Sequence, residues 1–271
     1  MNGLISVIVS TYNWPQALNL CLKSLSEQTD RQFEVVVADD GSTEDTKKIV
    51  DFWAVHGSFP VLHSWQEDRG FRLARSRNLA VSRSHGEYLV FLDGDCIVRS
   101  DFIESHRRLV DSHHVLAGQR ILLSESFTQQ CLTSQEIAWR ESLFELMNMS
   151  QKKYVNRFFP AINLPLGWLR IMRGRKWQLL RGCNWSLSRS NYLDINGQDE
   201  AFEGWGYEDS DMVLRLINNQ CMVKWAGFSS PCFHLWHKNA DRTMSQENLK
   251  RLYQIQHEHR VMPKKSLFDI K

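Results

Sequence analysis

Four groups of residues carry side chains and spacings suited to chemistry. Asp93-Gly94-Asp95 places two carboxylates one glycine apart, directly after the apolar run Tyr88–Leu92. Two acids at the end of a buried strand can hold a hard divalent cation, Mg²⁺ or Mn²⁺, which keeps open positions for phosphates. Glu208, Asp209 and Asp211 cluster before an apolar helical pattern, where a helix N-terminus favours anions. His234 and His237 offer late imidazole ligands, and Asp39-Asp40-Gly41-Ser42 ends another apolar run. Alone, each group has an ordinary reading: an Asp-Gly turn, helix-start charge, a satisfied buried or surface histidine.

Strands alternating with helices would bring these groups together. Leu4–Ser10, Phe33–Ala38, Val61–Trp65 and Tyr88–Leu92 read as strands. Between them, helices are expected from Trp14-Pro15 to about Glu27, from a Ser42/Asp45 capping pair to about Trp53, and over Arg72–Ser84. That alternation predicts a mostly parallel α/β sheet covered on both faces, with Thr11–Asn13, Asp39–Ser42 and Asp93–Asp95 on one rim. Further on, the pattern predicts a helix over Asp101–Asp111, a strand over Val115–Leu123 and a helix over Gln135–Met149. Strands are then expected near Arg181–Leu187 and Val223–Ala226, and a polar helix over Ser245–Arg260.

Composition narrows the classes. The 271 residues are 42% apolar and 24% charged, with a net charge of +2, so nothing global argues for nucleic acid. The six cysteines are scattered without a Cys-x-x-Cys pair, which predicts reduced thiols rather than a zinc or disulfide framework. The start of the chain lacks a signal-peptide pattern and no apolar run is long enough to span a bilayer, so a cytoplasmic protein is expected. Neither a Gly-x-Gly-x-x-Gly nor a P-loop pattern follows the first strand. Residues 151–181 hold eight Lys or Arg and no acid, interleaved with Phe158, Phe159, Trp168 and Trp177. Such a segment suits an anionic lipid surface at the inner face of a membrane, a grip on diphosphates, or a solvated loop.

Taken together, these motifs resemble the nucleotide-sugar-dependent glycosyltransferases of family 2. The opening strand Val7–Asn13, Val35–Ser42, Ala74–Asn78 and Asp93–Asp95 carry the likeness, with Gly204–Asp211 similar to the motif of β-1,4-galactosyltransferases and bacterial chondroitin-type polymerases. The resemblance implies a single GT-A domain over 1–271. Its nucleotide-sugar half would be 1–125, its acceptor and catalytic half 126–244, and its C-terminal helix and tail 245–271. It implies that Thr11, Tyr12 and Asn13 line the nucleotide pocket, with Asp39 or Asp40 on the uracil edge. Arg77 would lie near the diphosphate or anchor the metal loop, and Asp93 and Gly94 would sit at the donor. Asp95 would be the more direct metal ligand, Asp93 would face ribose and metal, and His234, then His237, would complete the site. Trp205, Gly206 and Tyr207 would meet the acceptor sugars, Glu208 the acceptor hydroxyls, and Asp209 would be the base.

A leaving diphosphate needs its charge stabilised, and the incoming hydroxyl needs a carboxylate to take its proton. One metal site and one separate base suit a single inverting displacement from a UDP-sugar to a glycan or lipid-linked glycan. The resemblance departs in two places: the transmembrane helices and Gln-x-x-Arg-Trp motif of the family's processive synthases are not found, so long-chain extrusion is not expected, and Gly-Tyr-Glu-Asp replaces the Gly-Gly-Glu-Asp common in the galactosyltransferase-like motif. A nucleotidyltransferase is the alternative enzyme class, although Thr-Tyr-Asn-Trp-Pro stands where its glycine-rich basic loop belongs. An inactive sugar-binding module is the non-enzyme alternative.

Overall fold

The structure, a computed structural model, describes residues 3–269 apart from 181, 230, 239 and 240. Arg181 of the basic segment therefore lies outside the described residues. The first half runs β1 (Ile5–Thr11), α1 (Pro15–Ser26), β2 (Phe33–Asp39), α2 (Glu44–His56), β3 (Val61–Trp65), α3 (Leu73–Arg83), β4 (Tyr88–Asp93), β5 (Cys96–Val98) and α4 (Phe102–Leu109). The second runs β6 (His114–Ala117), β7 (Arg120–Leu122), α5 (Glu125–Ser134), α6 (Leu143–Gln151), β8 (Asn184–Ser188), α7 (Arg189–Asp194), α8 (Glu208–Asn218), β9 (Met222–Trp225), β10 (Cys232–His234) and α9 (Ser245–Glu258).

Seven strands form the main sheet in the order β3-β2-β1-β4-β8-β6-β9. β1 pairs in parallel with β2 and β4, and β8 runs antiparallel to both β4 and β6. β1 and β2 are almost wholly buried because helices cover both faces, which is why their sequences read as unbroken Val/Ile runs. One apolar cluster joins Val7, Val9, Val35, Val37 and Val90 to α1, and the opposite cluster joins Ile8, Val36, Leu89 and Phe91 to α8. The chain moves outward from β1 to β3, then returns to place β4 on the other side of β1. That reversal opens a crevice at the carboxyl ends of β1 and β4, the usual ligand position of an open α/β sheet. A second sheet, β5-β10-β7, lies beside it and sets His234 opposite Cys96.

Three expectations need correction. The strand expected over Val115–Leu123 is divided: β6 belongs to the main sheet and β7 to the small one. The break falls at Gly118, whose missing Cβ would stand 2.3 Å from the Asn184 side chain. The helix expected over Gln135–Met149 is also broken. Gln135 adopts φ 56° and ends α5. Lys23 Nζ donates to the Gln135 carbonyl at 2.7 Å, and Arg140 turns inward to donate to Val98 O at 2.6 Å. Tertiary hydrogen bonds override helical periodicity there, and α6 restarts behind a Ser142 cap. Finally, Ser42 does not cap α2. Thr43 holds that position, and Ser42 Oγ accepts from the Asn13 backbone N–H at 2.9 Å.

Candidate active site

Arg77, on α3, is fully buried and organises the crevice. Its Nε donates to Ser10 Oγ at 3.0 Å and its Nη1 to Asp209 Oδ1 at 2.7 Å. Its Nη2 donates to Asp93 Oδ1 and to the Gly182 carbonyl, each at 3.0 Å. The guanidinium carbon lies 6.0 Å from the Phe91 ring centre and 5.9 Å from that of Trp185. A rigid fork of donors is the side chain that can bridge two carboxylates from different elements. Asp93 and Asp209, far apart in sequence, thus meet on one cation. Burial works against the Arg77 charge, but Asp209, Asp93 and Glu208 more than offset it and raise its pKa. Burial likewise pushes Asp93 and Asp209 upward, and Arg77 pulls both partly back.

Asp95 points away from this bridge. Its Oδ1 is 3.6 Å from His234 Nε2 and its Oδ2 is 3.4 Å from His237 Nε2. His234 Nδ1 meets the Leu235 carbonyl at 2.8 Å and His237 Nδ1 the Lys238 carbonyl at 2.7 Å. A carbonyl oxygen can only accept, so each Nδ1 is the donor there and each Nε2 is the ring atom turned toward Asp95 and open to a metal. One carboxylate and two such imidazoles form a donor set that fits a divalent transition cation. Asp93 lies outside this group of ligand atoms. Gly94 does not have a positive φ; its role is close approach, since a Cβ would stand 2.8 Å from Ser10 O.

The opposite wall is the start of α8. Glu208 is 7% exposed, and its Oε2 is buried without a hydrogen-bond partner among the described residues. Burial, then the neighbouring Asp209 charge, pushes Glu208 up to about 7. The preceding loop carries φ 74° at Gly204, 109° at Gly206 and 72° at Tyr207. The left-handed Tyr207 costs about 1–2 kcal/mol that glycine would avoid. Its ring packs on the cluster of Phe202, Leu214, Leu252 and Ile255 that joins α8 to α9. Trp205 is 38% exposed beneath Arg242, whose guanidinium carbon is 4.8 Å from the ring centre.

At the carboxyl ends of β1 and β2, Thr11 ends β1 and Tyr12 Oη donates to Asp68 Oδ2 at 2.9 Å. Asn13 adopts φ 48° and accepts from the Thr43 N–H at 2.9 Å. Asp39 accepts from the Ser42 N–H at 2.8 Å and meets His63 Nε2 at 2.9 Å. Asp40 accepts from Gln66 at 2.5 Å and from the Arg72 N–H at 2.7 Å. Both acids are buried at the carboxyl end of β2, and each carboxylate has lone pairs beyond the two contacts given.

Sequence reasoning missed Gly182, Ser10 and Trp185. A Cβ at Gly182 would stand 2.0 Å from Asp209 Oδ2, so any side chain there would displace Asp209. The one available signal was a glycine two residues before a buried strand. Elsewhere in the Ala74–Asn78 stretch, Asn78 and Arg75 serve as clamps, both bonding Glu200.

An open sheet with its crevice at β1/β4 and acids on both walls defines the GT-A class of nucleotide-diphospho-sugar transferase folds. Residues 6–166 match the profile of Glycosyl transferase family 2, and residues 172–238 match that of the N-terminal domain of galactosyltransferase. The chain belongs to glycosyl transferase family 2. It is 27% identical over 229 residues to validoxylamine A glucosyltransferase of Streptomyces hygroscopicus subsp. jinggangensis, covering 79% of this chain and 51% of that protein. It is 28% identical over 233 residues to chondroitin synthase of Pasteurella multocida, covering 81% of this chain and 23% of that protein. The chain thus spans about half, or less, of the length of these relatives. Among solved structures, S. aureus TarS 1–349 superposes with a TM-score of 0.63 at 19% identity, covering 94% of this chain and 64% of that one. A mannosyltransferase from Pyrobaculum calidifontis, solved with GDP-Man and Mn²⁺, gives 0.61 at 19%, covering 95% and 65%.

Proposed function

We propose that this chain is an inverting, metal-dependent glycosyltransferase that moves a sugar from a UDP-sugar to a hydroxyl of a glycan in bacterial surface polysaccharide synthesis. The observation that carries the reading is the Arg77 bridge, which holds Asp93 on the donor wall and Asp209 on the acceptor wall. Thr11–Asn13 and Asp39 or Asp40 line the nucleotide side. Asp95, His234 and His237 hold the cation, and the imidazoles favour Mn²⁺ over Mg²⁺. A cation bound there supplies positive charge to the departing diphosphate. Asp209 takes the acceptor proton, and burial strengthens it as a base. Glu208 directs its free oxygen at acceptor hydroxyls, and Trp205 offers its ring to a sugar face. Asp95→Ala is expected to abolish metal-dependent UDP binding in calorimetry; UDP binding that still responds to Mn²⁺ contradicts the ligand assignment.

Glu208 also sets a pH dependence. The carboxylate form accepts more strongly from a hydroxyl than the acid form. The acceptor KM should therefore rise as pH falls through about 7, the Glu208 value. Glu208→Gln should give a high KM that no longer varies there. A wild-type profile flat between neutral and mildly acidic pH counts against this role.

A lipid-linked acceptor at an anionic membrane is supported by an arch within the basic segment. No helix among the described residues is long and apolar enough to cross a membrane. Arg170 is pulled inward, donating to the Gly227 carbonyl at 2.7 Å and the Leu164 carbonyl at 2.9 Å. Around it Trp168 is 70% and Met172 65% exposed. Arg173, Arg175 and Lys176 flank them, each worth about 1 kcal/mol near an anionic surface. The protein should co-sediment with phosphatidylglycerol vesicles but not with phosphatidylcholine ones, and the Trp168→Ser/Met172→Ser variant should bind at least tenfold more weakly. Equal partition to both lipids contradicts the docking.

A further inference from the structure

The structure gathers three scattered cysteines into one buried cluster behind the Asp95–His234–His237 group. Cys96 begins β5, Cys183 precedes β8 and Cys232 begins β10. All three are buried, and their sulfurs lie within 4.8 Å of one another. Two of those sulfurs, on Cys183 and Cys232, are 3.9 Å apart. That separation is far too long for a disulfide, whose sulfurs stand about 2.05 Å apart. It matches an edge of a thiolate site instead. With metal–sulfur bonds of about 2.3 Å, neighbouring sulfurs stand about 3.8 Å apart in a tetrahedron and about 4.0 Å in a trigonal plane.

One further group suits such a centre. Arg120 Nη1 lies 4.0 Å from Cys183 Sγ. Three thiolates around a dication leave one net negative charge, which this guanidinium balances. The Cys96 thiol lies 3.7 Å from Asp95 Oδ1, so the cluster adjoins the carboxylate–imidazole group without sharing a sulfur with it. We propose that Cys96, Cys183 and Cys232 form a binding site for a soft, thiophilic cation of the Zn²⁺ class, separate from the carboxylate–imidazole site beside it. Thiolate ligands suit zinc and cuprous ions, and of the two neighbouring groups only the cysteine cluster offers sulfur, which magnesium and manganese disfavour. Each ligating thiol exchanges its S–H bond for a metal–sulfur bond and releases its proton to solvent. The cation would tie β5 to β10, the strands that lead from Asp95 and into His234. The proposal stands on the sulfur geometry and does not depend on the glycosyl-transfer reading.

Cadmium is the probe, because cadmium–thiolate bonds give an ultraviolet charge-transfer absorbance that oxygen and nitrogen ligands lack. Reduced, chelator-treated protein in excess Mn²⁺ should take up one Cd²⁺ with that absorbance. Binding should weaken at least tenfold in Cys183→Ser and in Cys232→Ser, and persist in Cys131→Ser, a buried thiol of a different cluster. X-ray absorption of the unmodified zinc-loaded protein, which needs no variant to fold, should show about three sulfur neighbours at about 2.3 Å. A shell of oxygen and nitrogen alone, absorbance that never develops, or equal Cd²⁺ affinity in the cysteine variants overturns the proposal and leaves the three thiols as packing.

Discussion

Asp209→Asn is expected to lower kcat on the order of 10³-fold, the middle of the range for losing a general base. The amide keeps the size of the carboxylate, and its oxygen can still accept from Arg77 Nη1, which now bonds Asp209 at 2.7 Å. Gly182 leaves no Cβ against the other oxygen, so the wall keeps its shape. UDP binding should therefore stay within about twofold of wild type, since a neutral group that no longer takes a proton changes the transition state and not the ground state. Single-turnover transfer and UDP calorimetry on the same preparation separate the two effects. Transfer at the wild-type rate would remove Asp209 from the reaction.

The second large effect is on Arg77. Arg77→Ala leaves Asp93 and Asp209 facing each other without their shared cation. Breaking a buried ion pair by removing one partner costs about 3–5 kcal/mol. The lower end is expected here, because the Asp93 side chain is 30% exposed and solvent takes up part of its charge. Activity should fall below detection even in whatever fraction remains folded, because both walls of the crevice lose their shared anchor. Arg77→Lys should recover part of the stability and little activity: one ammonium cannot reproduce a fork that also bonds Ser10 and Gly182. Denaturant midpoints and transfer assays on both variants check this. An alanine variant as stable and active as wild type would mean that the bridge holds nothing.

The donor half was legible because its signals are local. Val7–Val9 and Val35–Val37 are continuous β-branched runs, and Trp14-Pro15 opens a helix with proline at its first turn. Burial on both faces leaves such strands little alternative. Legibility fell where contacts between distant segments decide the local structure. The tether from Lys23 to Gln135 ends α5, and nothing in the periodicity of 135–149 announces it. The acids themselves could be read from type and spacing, but Arg77 could not be placed between them, because one stretch of sequence does not say which carboxylate a guanidinium will meet. The cysteines show the same limit. Their spacing predicted reduced thiols, and all six are free and buried, but it could not show that the antiparallel pairing of β5 with β10 brings Cys96 and Cys232 together with Cys183.

In the proposed transfer two walls serve one displacement, a cation and diphosphate on one side and a base on the other. Diffraction from crystals soaked with Mn²⁺ and UDP, recorded at the manganese edge, tests it most directly. The expected result is one anomalous peak within coordinating distance of Asp95 and the Nε2 atoms of His234 and His237. A uracil ring at Asp39–Asp40 and the Asp209 carboxylate facing the open end of the diphosphate are expected with it. A manganese peak away from Asp95, or a diphosphate on the far side of the sheet from Asp209, would contradict it.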